Sequence, residues 1–420
     1  MMTTMTGRLG TLGVCVLFSA LSWIGCSQGS DGRGPTKPGG AGTAGTAGTA
    51  GTAGAAGTSA AGSAGDAPAS HQPGELVDFL GNADYPDDFW ETATLEESDI
   101  DPAALAAALK RIKTQKLEIH SFLVARRGRL VFEQYGWKTG QNVDDTNKTE
   151  HQVDPAEHHL LHSTTKSITS SLVGIAIDEG LISGVDDLVV PHFPEYQPLP
   201  EPSAEKDAMT LEDLLTMRSG LEWQEGVNES EVFDAPDPAR VMLSRPLVST
   251  PGTVWNYSSA GSDVIAALLR KVTKQTPTQY AYDKLFEPLG IPGSDVFWAA
   301  ASNGTNHGGW GLSLKPRQMA RFGELYRNRG MWNGKQVVPA EWTDVATSVH
   351  CDTPWNGQYG YHFWIPRIPG FFATRGAYGQ NIYINRELEL VVVFTADLPI
   401  NNADVTLDDL MRELILPGVK

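Results

Sequence analysis

The sequence predicts an α+β fold, in which an antiparallel sheet built from both ends of the folded region carries a mostly helical insertion. Two observations predict this arrangement. Strand-like segments stand at the two ends, around 122–132 and 382–394, whereas helical patterns broken by Pro and Gly dominate the stretch from about 163 to 345. Strands and helices that are segregated along a chain are typical of α+β domains.

The elements of the two ends carry local signals of their own. Asp101-Pro102 predicts the start of a helix from Ala103 to Lys113, and the apolar residues of this segment recur on one face. The other predicted elements, in chain order, are a hairpin with strands 122–125 and 130–132 joined through 126–129, late strands 382–384 and 388–394 around a turn at 385–387, and a last helix at 407–416.

Composition and charge exclude several classes of function. The chain has 420 residues with ordinary apolar and charged fractions, which suits one large domain or two smaller ones. Its net charge of −18 would repel a phosphate backbone, so no nucleic-acid partner is expected. The three cysteines, Cys15, Cys26 and Cys351, form neither a disulfide framework nor a CxxC motif, and no metal or organic cofactor is expected.

The first 26 residues resemble a bacterial lipoprotein signal peptide. Arg8 precedes an apolar run from Leu9 to Ile24, which is short for a membrane span. The run is followed by Gly25-Cys26-Ser27, and a small residue before a cysteine is the pattern in which that cysteine is lipidated. The resemblance implies export and a lipid anchor on Cys26, with Ser27 favouring the outer membrane; ordinary secretion and a retained anchor remain alternatives.

Residues 27–76 are predicted to form a disordered tether. Between 29 and 73 the composition narrows to Gly, Ala, Thr and Ser, with a repeated triplet at 41–54. Such a segment has too few apolar side chains to offset the entropy lost on ordering. The globular domain is therefore predicted to span 77–420 and to be held away from the anchor by a flexible linker.

The strongest chemical signal is Ser163-Thr164-Thr165-Lys166, which opens an apolar helical pattern. A spacing of three on a helix places the Ser163 hydroxyl and the Lys166 amine on one face, and the helix start favours an oxyanion beside Ser163. A serine becomes a nucleophile when a base takes its proton, and a lysine is such a base only if burial lowers its pKa. By itself the motif is equally typical of an N-capping serine near a solvated lysine.

A second motif, Trp255-Asn256-Tyr257-Ser258-Ser259, precedes another apolar helix at 264–269. A loop tyrosine close to Lys166 could relay a proton between Ser163 and a leaving group. The alternative is a tyrosine packed at the start of a helix. Together the two motifs favour a hydrolase with Ser163 as nucleophile, whose proton is handled by Lys166 and Tyr257.

Both motifs resemble the active-site motifs of the serine β-lactamase-like family, which includes class C β-lactamases, DD-peptidases and family VIII carboxylesterases. The chain is most similar to the relatives that hydrolyse 6-aminohexanoate dimers. Further similar stretches are 162–182, 214–221, 308–313 and 376–394. The resemblance covers about residues 95–415 and implies a β-lactamase/DD-peptidase-like fold, with the chemistry in a cleft between sheet and insertion.

The third family motif, Lys-Thr-Gly or His-Thr-Gly, is matched by Thr374-Arg375-Gly376-Ala377. The resemblance implies that the amides of Ser163 and Ala377 form the oxyanion hole, and that Gly376 lets the substrate approach the strand backbone. The displaced cation weakens the case for penicillin recognition, and Arg375 either meets a substrate carboxylate or forms a surface salt bridge. The residues predicted to bind substrate are Ser259, His307, Arg375, Gly376 and Tyr378.

Two further groups of residues are open to a functional and a structural interpretation. Four histidines precede the nucleophile, but their spacing fits no zinc motif, and the expected interpretation is an approach loop. They are His151, His158, His159 and His162. Aromatic residues that are predicted either to line an apolar pocket or to belong to the core are Trp223, Trp310, Tyr359, Tyr361 and Trp364.

The predicted function is hydrolysis of an ester or amide bond, in a small molecule or short peptide, through an acyl-enzyme on Ser163. The alternatives are a β-lactamase, a D-aminoacyl peptidase that acts on cell-wall peptides, and a penicillin-binding or sensor protein that is acylated without turnover.

Overall fold

The structure, a computed structural model, describes residues 74–82, 90–139, 150–355 and 357–420. All of them fall within one structural unit, Pro68–Lys420. The predicted signal peptide, Cys26 and the predicted tether as far as residue 73 lie outside the described ranges. Within those ranges, none of the helices has both the length and the apolar character that a membrane span requires.

The central sheet takes its strands from both ends of the described chain, as predicted. In chain order they are β1 (Val77–Asp78), β2 (Ile119–Arg126), β3 (Arg129–Tyr135), β4 (Cys351–Asp352), β5 (Gln358–Tyr359), β6 (Trp364–Ile365), β7 (Phe371–Thr374), β8 (Asn381–Asn385) and β9 (Leu390–Ala396). All neighbours are antiparallel, in the order β1-β3-β2-β9-β8-β7-β6-β5-β4. The two ends of the chain meet where β2 pairs with β9, with Phe122 opposite Phe394.

Most of the helices lie in the insertion between β3 and β4, which confirms the predicted helical middle. The α-helices are α1 (Pro102–Gln115), α2 (Thr165–Asp178), α3 (Ala204–Asp207), α4 (Leu211–Leu215), α5 (Glu229–Phe233), α6 (Pro238–Ser244), α7 (Ser259–Thr273), α8 (Pro277–Ala281), α9 (Pro316–Arg327), α10 (Ala340–Ala346) and α11 (Ala403–Leu410). Short strands outside the central sheet pair Trp137–Lys138 with His151–Gln152, Met331–Trp332 with Lys335–Gln336, and Leu312–Leu314 with both His159–Leu160 and Phe297–Trp298.

Apolar side chains cover both faces of the sheet. Because side chains alternate along a strand, Phe122 and Val124 of β2 pack into a core with α1 and α11, while Leu123 and Ala125 pack into a second core with the insertion. Every residue of β2 and β9 is buried. Strands that are buried on both faces have continuous apolar runs, which explains why these segments lack an alternating pattern.

The first predicted helix is confirmed, since Asp101 caps α1 by accepting a hydrogen bond from the Ala103 amide at 2.9 Å. The predicted link at 126–129 is wrong in length, because Arg126 and Arg129 are paired strand residues. Only Arg127 and Gly128 form the turn, with φ of 52° and 78°. Two positive φ values suit the twist of a two-residue hairpin.

The late elements also differ from prediction at their ends. Strand β9 begins at Leu390 rather than Leu388, because the Leu388 amide is capped by the Asn385 side chain at 2.8 Å and Glu389 has φ of 50°. The last helix begins at Ala403, four residues earlier than predicted, and continues as a π-helix, Met411–Ile415, and a 3-10 turn, Leu416–Gly418.

Candidate active site

Ser163 lies in a 3-10 turn, His162–Thr164, that leads directly into α2. Every residue of α2 from Thr165 to Ala176 is buried, as predicted for the helix that follows the Ser-Thr-Thr-Lys motif. The serine itself stands in the turn before the α-helix. His162 has a φ of 47°, which is uncommon for a residue other than glycine.

The buried amine of Lys166 has three hydrogen-bond partners. Its Nζ donates to Ser163 Oγ at 3.0 Å, to Ser259 Oγ at 2.8 Å and to the carbonyl oxygen of Gly309 at 2.8 Å. Nζ also lies 4.7 Å from the centroid of the Tyr257 ring. These contacts satisfy all three donors of an ammonium group and place the amine directly beside the Ser163 hydroxyl.

Burial lowers the pKa of Lys166 to about 8. The cause is the loss of water around the charged amine, which disfavours the ammonium form. The negative charges of Glu225, Asp263 and Glu229 act in the opposite direction and limit the fall of this pKa. A lysine with a pKa of about 8 carries a substantial neutral fraction in mildly basic solution, so Lys166 can act as a general base.

Tyr257 also contacts Ser163. Its buried phenol is hydrogen-bonded to Ser163, while burial and the charge of Glu225 raise its pKa above the usual value. The phenol therefore remains protonated and suits a role as proton donor and relay. The structure thus brings together Ser163, Lys166 and Tyr257, although 94 residues separate Ser163 from Tyr257 in the sequence.

Ser259 contacts Lys166 and is held in turn by Glu225. Its amide donates to Glu225 Oε2 at 3.0 Å, and its hydroxyl donates to Glu225 Oε1. The indole N–H of Trp223 donates to the same carboxylate at 2.6 Å. Ser259 was predicted to bind substrate, but the structure commits its side chain to the base and to this carboxylate.

His307 belongs to a loop whose backbone contacts Lys166. Its Nδ1 lies 3.1 Å from Asp263 Oδ2, and the next amide, Gly308, donates to Asp263 Oδ1 at 2.7 Å. A Cβ on Gly309 would lie 2.6 Å from a backbone oxygen of α7, so only glycine allows this close approach. Asp263 therefore fixes the loop that presents the Gly309 carbonyl to the amine.

The segment after β7 packs against the turn His162–Thr164, which contains Ser163. Thr164 Oγ1 donates to the Gln380 carbonyl at 2.7 Å and lies 3.0 Å from Thr374 Oγ1. Gly376 was expected to admit substrate, but its backbone lies against the Leu161 carbonyl, 2.2 Å from where a Cβ would be. Gly376 and Gln380 flank Ala377 in the chain, so these contacts keep the Ala377 segment near the turn His162–Thr164. Such a position suits the predicted oxyanion hole.

Arg375 and Tyr378, which are near Ala377 in the chain, have side-chain partners within the protein. The ring of Tyr378, whose φ is 64°, meets the ring of His162 edge-on at 5.2 Å. The Arg375 guanidinium is 6% exposed and pairs with Asp408 at 2.7 and 2.8 Å and with Asp404 at 3.7 Å. The structure therefore places Arg375 in a buried ion pair with residues of α11, and not in the surface salt bridge that the sequence suggested.

Two groups of aromatic rings lie near the site. Trp255, Trp355, Tyr359 and Trp364 surround the Tyr257 ring at centroid distances of 5.5–6.4 Å. In the second group, the Trp310 ring stacks on His307 at 4.6 Å and contacts Phe233 at 5.4 Å. Of the five aromatic residues predicted either to line a pocket or to belong to the core, Tyr361 is set apart, because it stacks on His350 and donates to Glu212.

The four predicted histidines do not converge. His151 contacts Glu157 at 3.1 Å, His158 contacts the Asp295 carbonyl at 3.1 Å, and His159 is buried beside His120. In the part of the chain that the structure describes, no group of three or more His, Cys, Asp or Glu side chains is arranged to hold a metal ion.

Three residues around Lys166 were missed by sequence reasoning: Glu225, Asp263 and His362. Asp263 could have been found, because it follows Ser259 by four residues on α7 and so shares its face. Glu225 carries no such signal, since it lies 34 residues before Ser259 in an irregular loop. The buried His362 has a pKa lowered to about 3 by burial and by the charge of Lys166.

Comparison with known proteins gives a consistent assignment. A family model described as Beta-lactamase matches residues 107–415. The chain is 24% identical over 339 residues to the 6-aminohexanoate-dimer hydrolase of Paenarthrobacter ureafaciens, covering 74% of this chain and 81% of that protein.

Solved structures show the same fold. A family VIII carboxylesterase has a TM-score of 0.58 at 18% identity, with 74% of this chain and 97% of that chain covered. FmtA from Staphylococcus aureus has a TM-score of 0.59 at 17% identity, with 81% of this chain and 94% of that chain covered. Because the family model spans well over half of the chain, this protein belongs to the beta-lactamase family, whose fold is shared by esterases and amide hydrolases.

Proposed function

We propose that this protein hydrolyses an ester or amide bond through a covalent acyl-enzyme on Ser163. The observation that carries the proposal is the buried Lys166 amine, which lies 3.0 Å from Ser163 Oγ and has a pKa lowered to about 8. A neutral lysine at this distance can take the serine proton, and a deprotonated serine oxygen is a strong nucleophile.

The reaction begins when Ser163 Oγ attacks the substrate carbonyl carbon and its proton moves to Lys166 Nζ. The amides of Ser163 and Ala377 stabilise the resulting oxyanion. When the intermediate collapses, Tyr257 gives its proton to the departing oxygen or nitrogen, and Lys166 restores the phenol proton. Water then attacks the acyl carbon with the same groups acting in reverse, which releases the acid and frees the serine.

The surroundings favour a substrate with an apolar group next to the scissile bond. Trp355 is 53% exposed, lies 5.5 Å from the Tyr257 ring and stacks on Trp364 at 5.8 Å, so it offers an accessible aromatic face beside the catalytic phenol. Apolar substrate surface buried on this face would contribute about 25 cal/mol per Å². The buried pairing of Arg375 with Asp408 argues against a substrate carboxylate at that position, and therefore against a β-lactam or a cell-wall peptide.

The test is a panel of p-nitrophenyl esters, anilides and nitrocefin, applied to the wild type, Ser163→Ala and the control Ser170→Ala. Ser170 is a buried serine of the same helix. We expect turnover of esters with apolar acyl groups, and a single fluorophosphonate adduct by intact mass, in the wild type and control. Turnover by Ser163→Ala, or no adduct on folded wild type, would refute the proposal; stable acylation by nitrocefin without turnover would favour the sensor alternative.

We also propose that the protein is exported and anchored in the outer membrane by a lipid on Cys26. The support is the apolar run from Leu9 to Ile24 followed by Gly25-Cys26. Labelled palmitate should be incorporated by the wild type and by Cys351→Ser, and Cys26→Ser should lose both the label and the membrane fractionation. Equal labelling of Cys26→Ser would exclude this site.

A further inference from the structure

The Ser259 hydroxyl stands between two charged groups that the predicted mechanism did not connect. Its oxygen accepts a hydrogen bond from Lys166 at 2.8 Å, and its proton is donated to Glu225. We propose that Glu225 is a positioning residue for the catalytic base: by holding the Ser259 proton, it directs the lone pair of neutral Lys166 toward Ser163. This inference rests on the proposed function, because it assigns a role within the same reaction.

The Ser259 hydroxyl has a single proton, which the Glu225 carboxylate accepts. A serine hydroxyl has one proton to donate, whereas an ionised carboxylate can only accept. Because the proton of Ser259 points to Glu225, its oxygen can offer only lone pairs to Lys166. The direction of the contact between Ser259 and Lys166 is therefore set by the carboxylate.

The amine of neutral Lys166 has two protons and one lone pair. The Gly309 carbonyl, at 2.8 Å, can only accept, and Ser259 can only accept as long as Glu225 holds its proton. Both amine protons are then used, and the lone pair is left for the third partner, Ser163, which has a proton to give. If Ser259 were free to turn, it could donate to that lone pair and occupy the base.

Glu225 is itself held in place by hydrogen bonds to its carboxylate. Its carboxylate receives the Ser259 amide, the Ser259 hydroxyl and the indole N–H of Trp223. Two of these three donors belong to Ser259, which is the first residue of α7. The carboxylate therefore moves with the group that it orients, and hydrogen bonds to an ionised acceptor are the stronger kind.

Glu225→Gln is a sharp test because it keeps the size of the side chain and changes its hydrogen-bonding. If the amide oxygen of the variant stays with Trp223 and the Ser259 amide, its NH₂ group faces the Ser259 hydroxyl. That hydroxyl must then accept from Gln and turn its proton toward Lys166. We expect kcat to fall by about tenfold to 100-fold, which is at or below the lower limit of the ~10²-fold to 10⁴-fold that proton transfer contributes, because the base is obstructed and not removed; KM should change little.

The matched control is Glu229→Gln, which removes the same charge near Lys166 without touching Ser259. Both carboxylates raise the pKa of Lys166, so both variants should shift the acidic limb of the kcat profile to lower pH. Only Glu225→Gln should also lower the plateau above that limb. A lower plateau in both variants, or in neither, would overturn the proposal.

A double-mutant cycle tests whether Glu225 acts through Ser259. Ser259→Ala should lower kcat by itself, and adding Glu225→Gln to it should cost less than twofold more. An additional loss as large as that in the wild-type background would mean that Glu225 acts by another route. If Glu225→Gln is unfolded by circular dichroism, Glu225→Asp, which keeps a carboxylate, takes its place in the cycle. Failure of this inference is separate from failure of the proposed function, which Ser163→Ala reports.

Discussion

Lys166 is the residue whose charge state should set the rate of the reaction. Its pKa is lowered to about 8 by burial, and only the neutral amine can accept the Ser163 proton. We therefore expect kcat/KM to increase about tenfold per pH unit below pH 8 and to level off above it. The measurement is a pH profile of p-nitrophenyl ester hydrolysis from pH 6 to 10.

The control for this profile is Lys166→Arg, because a guanidinium keeps its charge throughout the range. This variant should be inactive at every pH while remaining folded by circular dichroism. A wild-type profile that is flat between pH 6 and 8, or residual turnover by the arginine variant, would assign the base to another group.

Tyr257→Phe removes the phenol oxygen and leaves the ring among Trp255, Tyr359 and Trp364. Since the raised pKa keeps this phenol protonated, it acts as a donor, and we expect kcat to fall by about 10²-fold to 10⁴-fold with little change in stability. The loss should be smaller for a p-nitrophenyl ester than for an alkyl ester, because p-nitrophenolate departs without a proton. An equal loss for both esters would contradict the role of proton donor.

At this scale, the sequence revealed Ser163 and Lys166 by their spacing and Tyr257 by its motif. Ser163 stands in the turn just before α2 and Lys166 in the first turn of that helix, so a spacing of three brings the two side chains into contact. Glu225 could not be found in this way, because its contact with Ser259 joins an irregular loop to a helix that begins 34 residues later.

Among the elements, the turn His162–Thr164 and the loop after β7 are joined by one buried hydroxyl. Thr164 Oγ1 contacts both Gln380 and Thr374 across this junction. Thr164→Val keeps the shape of the side chain but removes the hydrogen-bond partner of the buried Thr374 hydroxyl, so the free energy of unfolding should fall by about 1–3 kcal/mol. Because the loop also presents Ala377, we expect kcat to fall about tenfold, as measured with the best ester.

The control is the same substitution at Thr395 of β9, a fully buried residue that is hydrogen-bonded to Ser121 at 2.7 Å. Thr395→Val should lose similar stability in chemical denaturation and keep the wild-type kcat. Equal losses of kcat in the two variants would show that stability, and not the junction, determines the effect.

The elements themselves were largely predictable, and their ends were not. The helix after Asp101 follows from its cap and apolar period, and α1 begins at Pro102, one residue before the predicted Ala103. The ends of the β2–β3 hairpin and of β9 depend on positive φ values at Arg127 and Glu389, which are residues that carry no turn signal. These residues adopt positive φ values because the paired strands on either side fix the course of the backbone between them.

For the whole molecule, the pairing of β2 with β9 is the step that local patterns could not supply. Residue Ala125 is opposite Val391, a separation that no periodicity encodes. The sheet faces two cores, and α9, which belongs to the insertion, packs on one face of the sheet. The site therefore depends on how well the helical part is held to the sheet.

A buried ion pair holds these two parts together. Glu133 of β3, whose side chain is fully buried, accepts hydrogen bonds from Arg317 of α9 at 2.7 and 2.9 Å and from the Tyr135 hydroxyl at 2.7 Å. Glu133→Gln would leave the guanidinium buried beside a neutral group. Because removing one partner of a buried ion pair is costly, the free energy of unfolding should fall by about 3–5 kcal/mol in urea denaturation.

The matched control is Glu413→Gln, which breaks a pair with Arg111 whose side chains are 46% and 30% exposed. Solvent screens such a pair, so the same substitution should change the free energy of unfolding by no more than about 1 kcal/mol. The kcat of folded Glu133→Gln should stay near that of the wild type, since Glu133 contacts none of the residues assigned to the reaction. Equal effects of the two variants on stability would mean that apolar packing alone joins the sheet to α9, and that the buried charge is dispensable.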